Sequence, residues 1–396
     1  MDAFGGEFHG WESGGGGANH SSLALALARA QVIWAILPPQ MMPSKKKIYA
    51  VDLFCGVGGL TYGLRTAGRI GGGIVVKAGI DNDSSCREAY EKNNPGAEFV
   101  PADIRNISPE EIDAHYAGAD VKVMVGCAPC QPFSAHTRKN RDRSKGDDCS
   151  LLQVFSRLIR KCEPDIVSIE NVPGLQKHKV FECFMKDLER LGYHCARPEI
   201  VFCPQYGVPQ KRKRLVVLAS RLGEIKLIPP THESREKWPT LNKIKGFKGL
   251  PRIKHGERAR EDSCHVAMPL TAKNFARIKQ STPGGNWRDW DKSIVSKCHK
   301  KAYYPAPYGR MRWDAPAPTI TTQFCYYSTG RFGHPDQHRA ISLREGALLQ
   351  TFPMNYQFQN AAKQLTAREI ARHIGNAVPV NLAKAIGKSI WRHVDA

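Results

Sequence analysis

The residue in this sequence whose setting most suggests chemistry is Cys130, in a proline-flanked loop at the end of an apolar run. Residues 126–134 read Gly-Cys-Ala-Pro-Cys-Gln-Pro-Phe-Ser and follow directly on Val121–Gly126. Cys127 and Cys130 together raise the possibility of zinc or a redox pair. A structural zinc site needs four ligands, usually from a second paired motif, and none lies nearby in the sequence. A thioredoxin-like pair belongs at a helix start, whereas Pro132 follows here. What remains is a single nucleophilic thiol at the carboxyl end of a strand, where open α/β sheets hold their ligands. Such a thiol is barely ionised near neutral pH and needs activation, yet the sequence offers no adjacent base.

Three further groups could serve it. Ile169-Glu170-Asn171-Val172 ends another apolar run, and a carboxylate there could act as an acid if partial burial raises its pKa. Taken alone, Glu170 would read as a solvated strand-end glutamate. Gln-Lys-Arg-Lys-Arg at 210–214 is either a solvated basic turn or, through Arg212 and Arg214, a fork on an oxygen of a substrate. The third group is Asp-Leu-Phe-Cys-Gly-Val-Gly-Gly at 52–59, where Gly56, Gly58 and Gly59 permit a tight turn into a helix. Asp81 closes the next apolar run, where a carboxylate accepts from ribose hydroxyls, and Asp103 follows a third run, within reach of an adenine amino group. Strand, glycines, helix and a spaced acid point to an adenine-nucleoside cofactor. They do not separate a dinucleotide from S-adenosylmethionine.

Positioning these residues requires an alternating architecture. Strand-like runs fall at 48–54, 74–80, 121–126, 165–169 and 215–219, with helical stretches at 60–67, 84–93, 151–162 and 180–191. Short β-branched runs alternating with amphipathic helices predict an α/β fold, with a parallel sheet covered on both faces. After about Ile228 the alternation stops. Residues 231–315 hold 19 Lys and Arg against 8 Asp and Glu, with no sustained period, and helical pattern returns at 367–374 and 380–394. The expected organisation is a leader at 1–44, a cofactor-binding catalytic domain at 45–228, a smaller irregular domain at 229–366, and closing helices at 367–396.

The charge balance narrows the partner. Fifty-eight Lys and Arg against 37 Asp and Glu give a formal net charge of +21, which suits a polyanion, with nucleic acid ahead of an anionic membrane. Twelve scattered cysteines in a chain of 396 residues fit free thiols in a reducing cytosol rather than a secreted disulfide scaffold. The longest apolar stretch, 23–37, contains Arg29 and Gln31 and is shorter than the roughly 20 residues a spanning helix needs. It also lacks the basic leader of a signal peptide. Residues 1–44 are rich in Gly and Pro, and Met41-Met42 precede Lys45-Lys46-Lys47. Translation is expected to begin naturally there, and deletion of residues 1–40 to leave activity intact.

In order along the chain, the glycine turn, the Cys130 loop, Glu170-Asn171-Val172, residues 210–214 and Gly-Asn-Ala-Val-Pro-Val at 375–380 resemble the motif set of the cytosine-5 DNA methyltransferases. The resemblance spans residues 46–394. It implies a Rossmann-like S-adenosylmethionine-dependent methyltransferase sheet with a target recognition domain in the irregular segment. It also implies methylation of carbon 5 of a flipped-out cytosine in specific duplex DNA, as in bacterial restriction–modification. Cys130 would add to carbon 6, Glu170 would hold a proton at ring N3, and Arg212 and Arg214 would hold the base, Arg214 nearest its O2. Phe54, Asp81, Asp103 and Asn376 would line the cofactor pocket. Arg138, Lys139, Arg141, Arg143 and Lys145 would sit on a lid that grips phosphates as it closes. Two departures stand out: Cys127-Ala128 replaces the family's usual glycine and proline, and Asn82 stands where relatives often carry an aromatic that stacks on adenine. The second departure predicts weaker cofactor affinity. No metal and no membrane partner are implied, and a monomer in the bacterial cytoplasm is expected. Rival readings are a transfer-RNA cytosine methyltransferase sharing the catalytic set, a nicotinamide-dependent oxidoreductase, and an inactive DNA-binding relative.

Overall fold

β-Branched Ile48 and Val51 are buried and Tyr49 is partly so, which makes Ile48–Leu53 (β1) an inner strand rather than an edge. Around it lie Val75–Asp81 (β2), Glu98–Pro101 (β3), Val121–Gly126 (β4), Ile166–Asn171 (β5), His194–Cys195 (β6), Glu199–Phe202 (β7) and Lys213–Ser220 (β8). Their order is β3-β2-β1-β4-β5-β8-β6, with β7 also paired to β8. The computed structural model describes residues 46–68, 73–129, 147–195, 197–295, 307–359 and 365–395; residues 44–396 form one compact unit. The leader, the Cys130 nucleophile and the five basic residues assigned to a lid lie outside the described residues.

The first five strands pair in parallel as expected, but β8 runs antiparallel to β5, β6 and β7. The sheet is therefore mixed. A continuous apolar run reads the same in either direction, so the sequence carried no sign of this reversal. Its consequence is functional: the start of β8 meets the carboxyl end of β5, which brings Arg214 beside Glu170.

Both sheet faces are covered. Gly59–Arg65 (α1) and Val380–Asp395 (α9) set Leu60, Leu64, Leu382 and Ile386 against Ile48, Ala50, Val76 and Val123. Asp147–Cys162 (α4) and Lys179–Arg190 (α5) set Phe155, Ile159, Phe184 and Leu188 against Val51, Leu53, Met124 and Val167. Two further helices, Arg87–Asn93 (α2) and Pro109–Ala114 (α3), fill the connections. A single-turn 3-10 segment, Ser84–Cys86, occupies the first part of the helix expected at 84–93.

Between β8 and α9 the chain is largely irregular, and its described residues include the helices Ala272–Gln280 (α6), Leu343–Leu349 (α7) and Ala367–Asn376 (α8). Every residue of α7 is buried, so it has no polar face and no amphipathic period to betray it in the sequence. The irregular segment does not stand apart. Leu241, Phe247, Phe324, Leu343 and Phe352 share one apolar core with Val57, Tyr90, Phe99 and Ile370 from around the glycine turn and α8. Part of its positive charge is structural, too. Arg310 is buried and donates to the carbonyls of His334, Pro335 and Ile278, while Arg277 donates to that of Ile294.

Candidate active site

The strand order reverses between β1 and β4, and ligands of open α/β sheets bind in the crevice at such a point. Both carboxyl ends there carry predicted site residues. After β1 the backbone enters the left-handed region at Phe54 (φ 62°), Gly56 (φ 50°) and Gly58 (φ 85°), the last capping α1. A Cβ at Gly58 would lie 2.4 Å from Asn94 Nδ2, and one at Gly59 would lie 2.6 Å from the Val378 carbonyl. These two glycines are thus required by packing. A Cβ at Gly56 would meet nothing within 4 Å, so that position borders open space. The Gly56 N–H donates to Asp81 Oδ2 at 2.9 Å, and the Asp83 N–H donates to Oδ1 at 2.8 Å. Burial raises the Asp81 pKa, and these two hydrogen bonds oppose it.

Beneath the turn lies a buried polar group that sequence reasoning missed. Asp52 is wholly enclosed, accepts from Thr61 Oγ1 at 2.7 Å, and has no hydrogen-bond partner at Oδ1. Burial lifts its carboxyl to about 7, against the pull of the Thr61 hydroxyl. Thr61 in turn meets the Tyr90 hydroxyl at 3.1 Å, and the Tyr356 hydroxyl donates to the Val57 carbonyl inside the turn. An aspartate inside an otherwise apolar strand was the available signal.

The other cofactor residues are placed less uniformly. Asp103 is forked by Arg105, whose Nη2 lies 2.6 Å from Oδ2, and that hydrogen bonding lowers its pKa. Its oxygens thus already hold a guanidinium. Asn376 ends α8 and is exposed, as is Asn82. Between them Asp83 pairs with Arg372 at 2.7 Å and lies 3.3 Å from His373 Nε2, tying the loop after β2 to α8. Asp83, Cys86 and His373 have ligand atoms within 4.8 Å of one another, but the Arg372 guanidinium already supplies the positive charge there.

On the opposite side of the crevice, Glu170 is only 2% exposed, deeper than the partial burial the sequence suggested. Gly126 pairs with Ile169 across β4 and β5, so the next residues, Cys127 and Glu170, are neighbours. Cys127 Sγ donates to Glu170 Oε2 at 2.9 Å. Glu170 pairs across β5 and β8 with Val216, which places Arg214 on its diagonal. Arg214 Nε stands 2.8 Å from Glu170 Oε1, an ionic contact without hydrogen-bond alignment, since Oε1 has no hydrogen-bond partner. Asn171 Nδ2 donates to the Ala128 carbonyl at 3.0 Å and pins the start of the Cys130 loop.

Arg212 lies elsewhere than a substrate fork would require. It is buried, with Nη1 donating to the Ile320 carbonyl at 3.0 Å and Nη2 to that of Gly375 at 3.4 Å. Burial lowers its pKa to about 10, and the like charge of Arg214 adds to the effect. Gln210 is buried as well, donating to Gln350 Oε1 and accepting from the Ile320 N–H, while Gln350 donates to the carbonyls of Ile374 and Ala377. Residues 210–214 thus alternate: Gln210 and Arg212 point inward, Lys211 and Lys213 outward, and Arg214 reaches the crevice. That period of two is present in the sequence as Gln-Lys-Arg-Lys-Arg, beneath a charge that suggests a solvated turn.

A mixed sheet with a glycine turn at its switch point, and an acid and an arginine at the same carboxyl edge, is consistent with the methyltransferase α/β fold. The model of C-5 cytosine-specific DNA methylases matches residues 48–392, and the chain belongs to that family. It is 49% identical over 351 residues to the type II methylase M.HgiDII of Herpetosiphon aurantiacus, covering 87% of this chain and 95% of the relative. It is 30% identical over 381 residues to the type II methyltransferase M.Eco47II of Escherichia coli, covering 93% and 84%. Among solved structures, a prophage-encoded Escherichia coli protein described as a DNA modification methyltransferase superposes with a TM-score of 0.62 at 21% identity, covering 88% of this chain and 100% of that one. At that identity the likeness speaks to fold. The chain is thus a DNA cytosine-5 methyltransferase, and among the described residues no helix is long and apolar enough to cross a membrane.

Proposed function

We propose that the enzyme methylates cytosine within a specific duplex DNA sequence, through a covalent bond between Cys130 and carbon 6 of a flipped-out base. The observation that carries this reading is Glu170, buried at the carboxyl end of β5 with one oxygen free of hydrogen bonds and Arg214 beside it. Carbon 5 of cytosine is a poor nucleophile. Addition of the Cys130 thiolate to carbon 6, with Glu170 holding a proton at N3, moves electron density onto carbon 5. Once carbon 5 carries the methyl group, loss of its proton to water expels the thiolate and restores the ring. Arg214 steadies Glu170 and the base oxygen. Arg212 acts at one remove, by fixing residues 320 and 375 against the start of β8.

The glycine turn fits an adenosyl cofactor, because Gly56 borders open space and Asp81 anchors the turn on its ribose side. Phe54, Gly56, Gly58, Gly59, Asp81 and Asn376 would hold S-adenosylmethionine, with Asp103 joining them once Arg105 yields. Bound there, the cofactor supplies a methyl group on a sulfonium, which carbon 5 accepts. Asp81→Ala is expected to weaken S-adenosylmethionine binding roughly tenfold to a hundredfold, the value of one hydrogen bond to a charged group. Calorimetric titration of the folded variant checks this, and unchanged affinity would remove Asp81 from the pocket.

The irregular segment at 229–366 is read as the target recognition domain, its surface Lys and Arg gripping phosphates while a few side chains read bases. Its basic character and the names of the two relatives support duplex DNA and a restriction–modification setting in the bacterial cytoplasm. A transfer-RNA substrate would use the same catalytic set. Incubating the enzyme with labelled S-adenosylmethionine and either duplex DNA or transfer RNA separates the two. Label on DNA is expected, and label on RNA alone would overturn the reading.

A further inference from the structure

Cys127 is the first residue after β4, and its thiol contacts the candidate acid. The thiol is half-buried, and its Sγ donates to Glu170 Oε2 at 2.9 Å. The other carboxylate oxygen, Oε1, lies 2.8 Å from Arg214 Nε without accepting a hydrogen bond. The carboxylate is therefore held from both sides, by a donor on β4's loop and a cation on β8. Its two oxygens are not equivalent: one is occupied, and the other retains its lone pairs in a buried site. The backbone under Cys127 is itself fixed, since its N–H donates to the Leu53 carbonyl at 3.3 Å and Asn171 holds the carbonyl of Ala128.

We propose that Cys127 is a positioning residue that sets the Glu170 carboxyl so that Oε1 faces the cytosine ring. It does not touch the substrate; it acts through Glu170. The proposal rests on the acid role given to Glu170 above. A carboxylate released from the thiol can turn toward a two-pronged pairing with Arg214, since arginine favours carboxylates bound through both oxygens. In that pose neither oxygen is left for the base. Serine keeps a donor of similar size at this position, whereas alanine keeps the backbone and removes the donor.

The test is a set of steady-state measurements on duplex DNA with Cys127→Ala, Cys127→Ser, Glu170→Gln and the Cys127→Ala/Glu170→Gln pair, each checked for an unchanged melting transition. Cys127→Ala is expected to lower kcat about fivefold to tenfold with both KM values unchanged, in keeping with one modest hydrogen bond to a charged group. Cys127→Ser is expected to stay within about twofold of the parent. In the Glu170→Gln background, adding Cys127→Ala should change nothing further. A parent-like kcat for Cys127→Ala, an equal loss with serine, or a second full loss on top of Glu170→Gln would overturn the inference. A parent-like kcat for Glu170→Gln alone would instead overturn the role of Glu170, an outcome that does not involve Cys127.

Discussion

Glu170→Gln is expected to lower kcat by roughly a hundredfold to a thousandfold, within the range for loss of a positioned acid. Glutamine matches the shape of the side chain and can still hydrogen-bond, but it cannot hold a proton for ring N3. The site should otherwise survive, because Glu170 is packed on a central strand and its neighbours Ile169 and Asn171 are buried by their own contacts. The substitution does leave Arg214, 13% exposed, without its counter-charge. A parallel Arg214→Met variant therefore separates loss of the carboxyl group from loss of the ion pair: it should slow the reaction while leaving the Glu170 side chain in place. Rapid-quench measurement of methyl transfer, with DNA and cofactor affinities measured separately, checks the prediction. A loss confined to affinity would assign Glu170 to binding instead.

The second large effect concerns stability. Arg339 and Glu345 are each 1% exposed and form a two-pronged pair, Nη1 to Oε2 and Nη2 to Oε1, both at 2.7 Å. The Ser342 N–H also donates to Oε2, closing the cap of α7. Glu345→Ala would strand a buried guanidinium and should cost about 3–5 kcal/mol. Chemical denaturation followed by tryptophan fluorescence measures this, and a change under about 1 kcal/mol would contradict the role given to the pair. The same cluster predicts acid sensitivity. Burial alone would raise the Glu345 carboxyl, but the charge and hydrogen bonds of Arg339, with His334 and Ser342, hold it down from 4.5 to about 2. Its contribution is present above pH 4.5 and is lost as pH falls toward about 2. Burial also pushes the His334 imidazole from 6.5 down to about 4, against the pull of Glu345. The unfolded chain binds that proton first, so stability begins to fall already below pH 6.5. In the Glu345→Ala variant the lower part of this acid dependence should disappear.

Much of the site was legible because its chemistry depends on local sequence. The glycine turn, Asp81 and Glu170 all lie at strand ends whose apolar runs are unmistakable, at the carboxyl ends of β1, β2 and β5. What could not be read depends on direction and on distant partners. The antiparallel entry of β8 decides that Arg214 reaches Glu170 while Arg212 faces the carbonyls of Ile320 and Gly375. Charge alone made the two arginines look equivalent. The same holds for the basic segment, where Arg277 and Arg310 add to the positive charge but are bound to main-chain carbonyls. An arginine announces its charge in a sequence, not the acceptors that fold around it. Nothing local in the sequence joins Cys127 to Glu170; their contact follows from the register of β4 on β5.

The central claim is that Cys130 bonds to carbon 6 of cytosine in DNA. It is tested most directly with duplex DNA in which a polymerase has replaced every cytosine by 5-fluorocytosine. A fluorine at carbon 5 cannot leave as a proton does, so once carbon 5 has been methylated the elimination that frees Cys130 should be blocked, with the enzyme still attached. The parent enzyme is expected to give a protein–DNA adduct that survives denaturing electrophoresis and depends on S-adenosylmethionine, whereas Cys130→Ser should give none and should transfer no label to ordinary DNA. Methylation of ordinary DNA by Cys130→Ser at the parental rate would contradict the account.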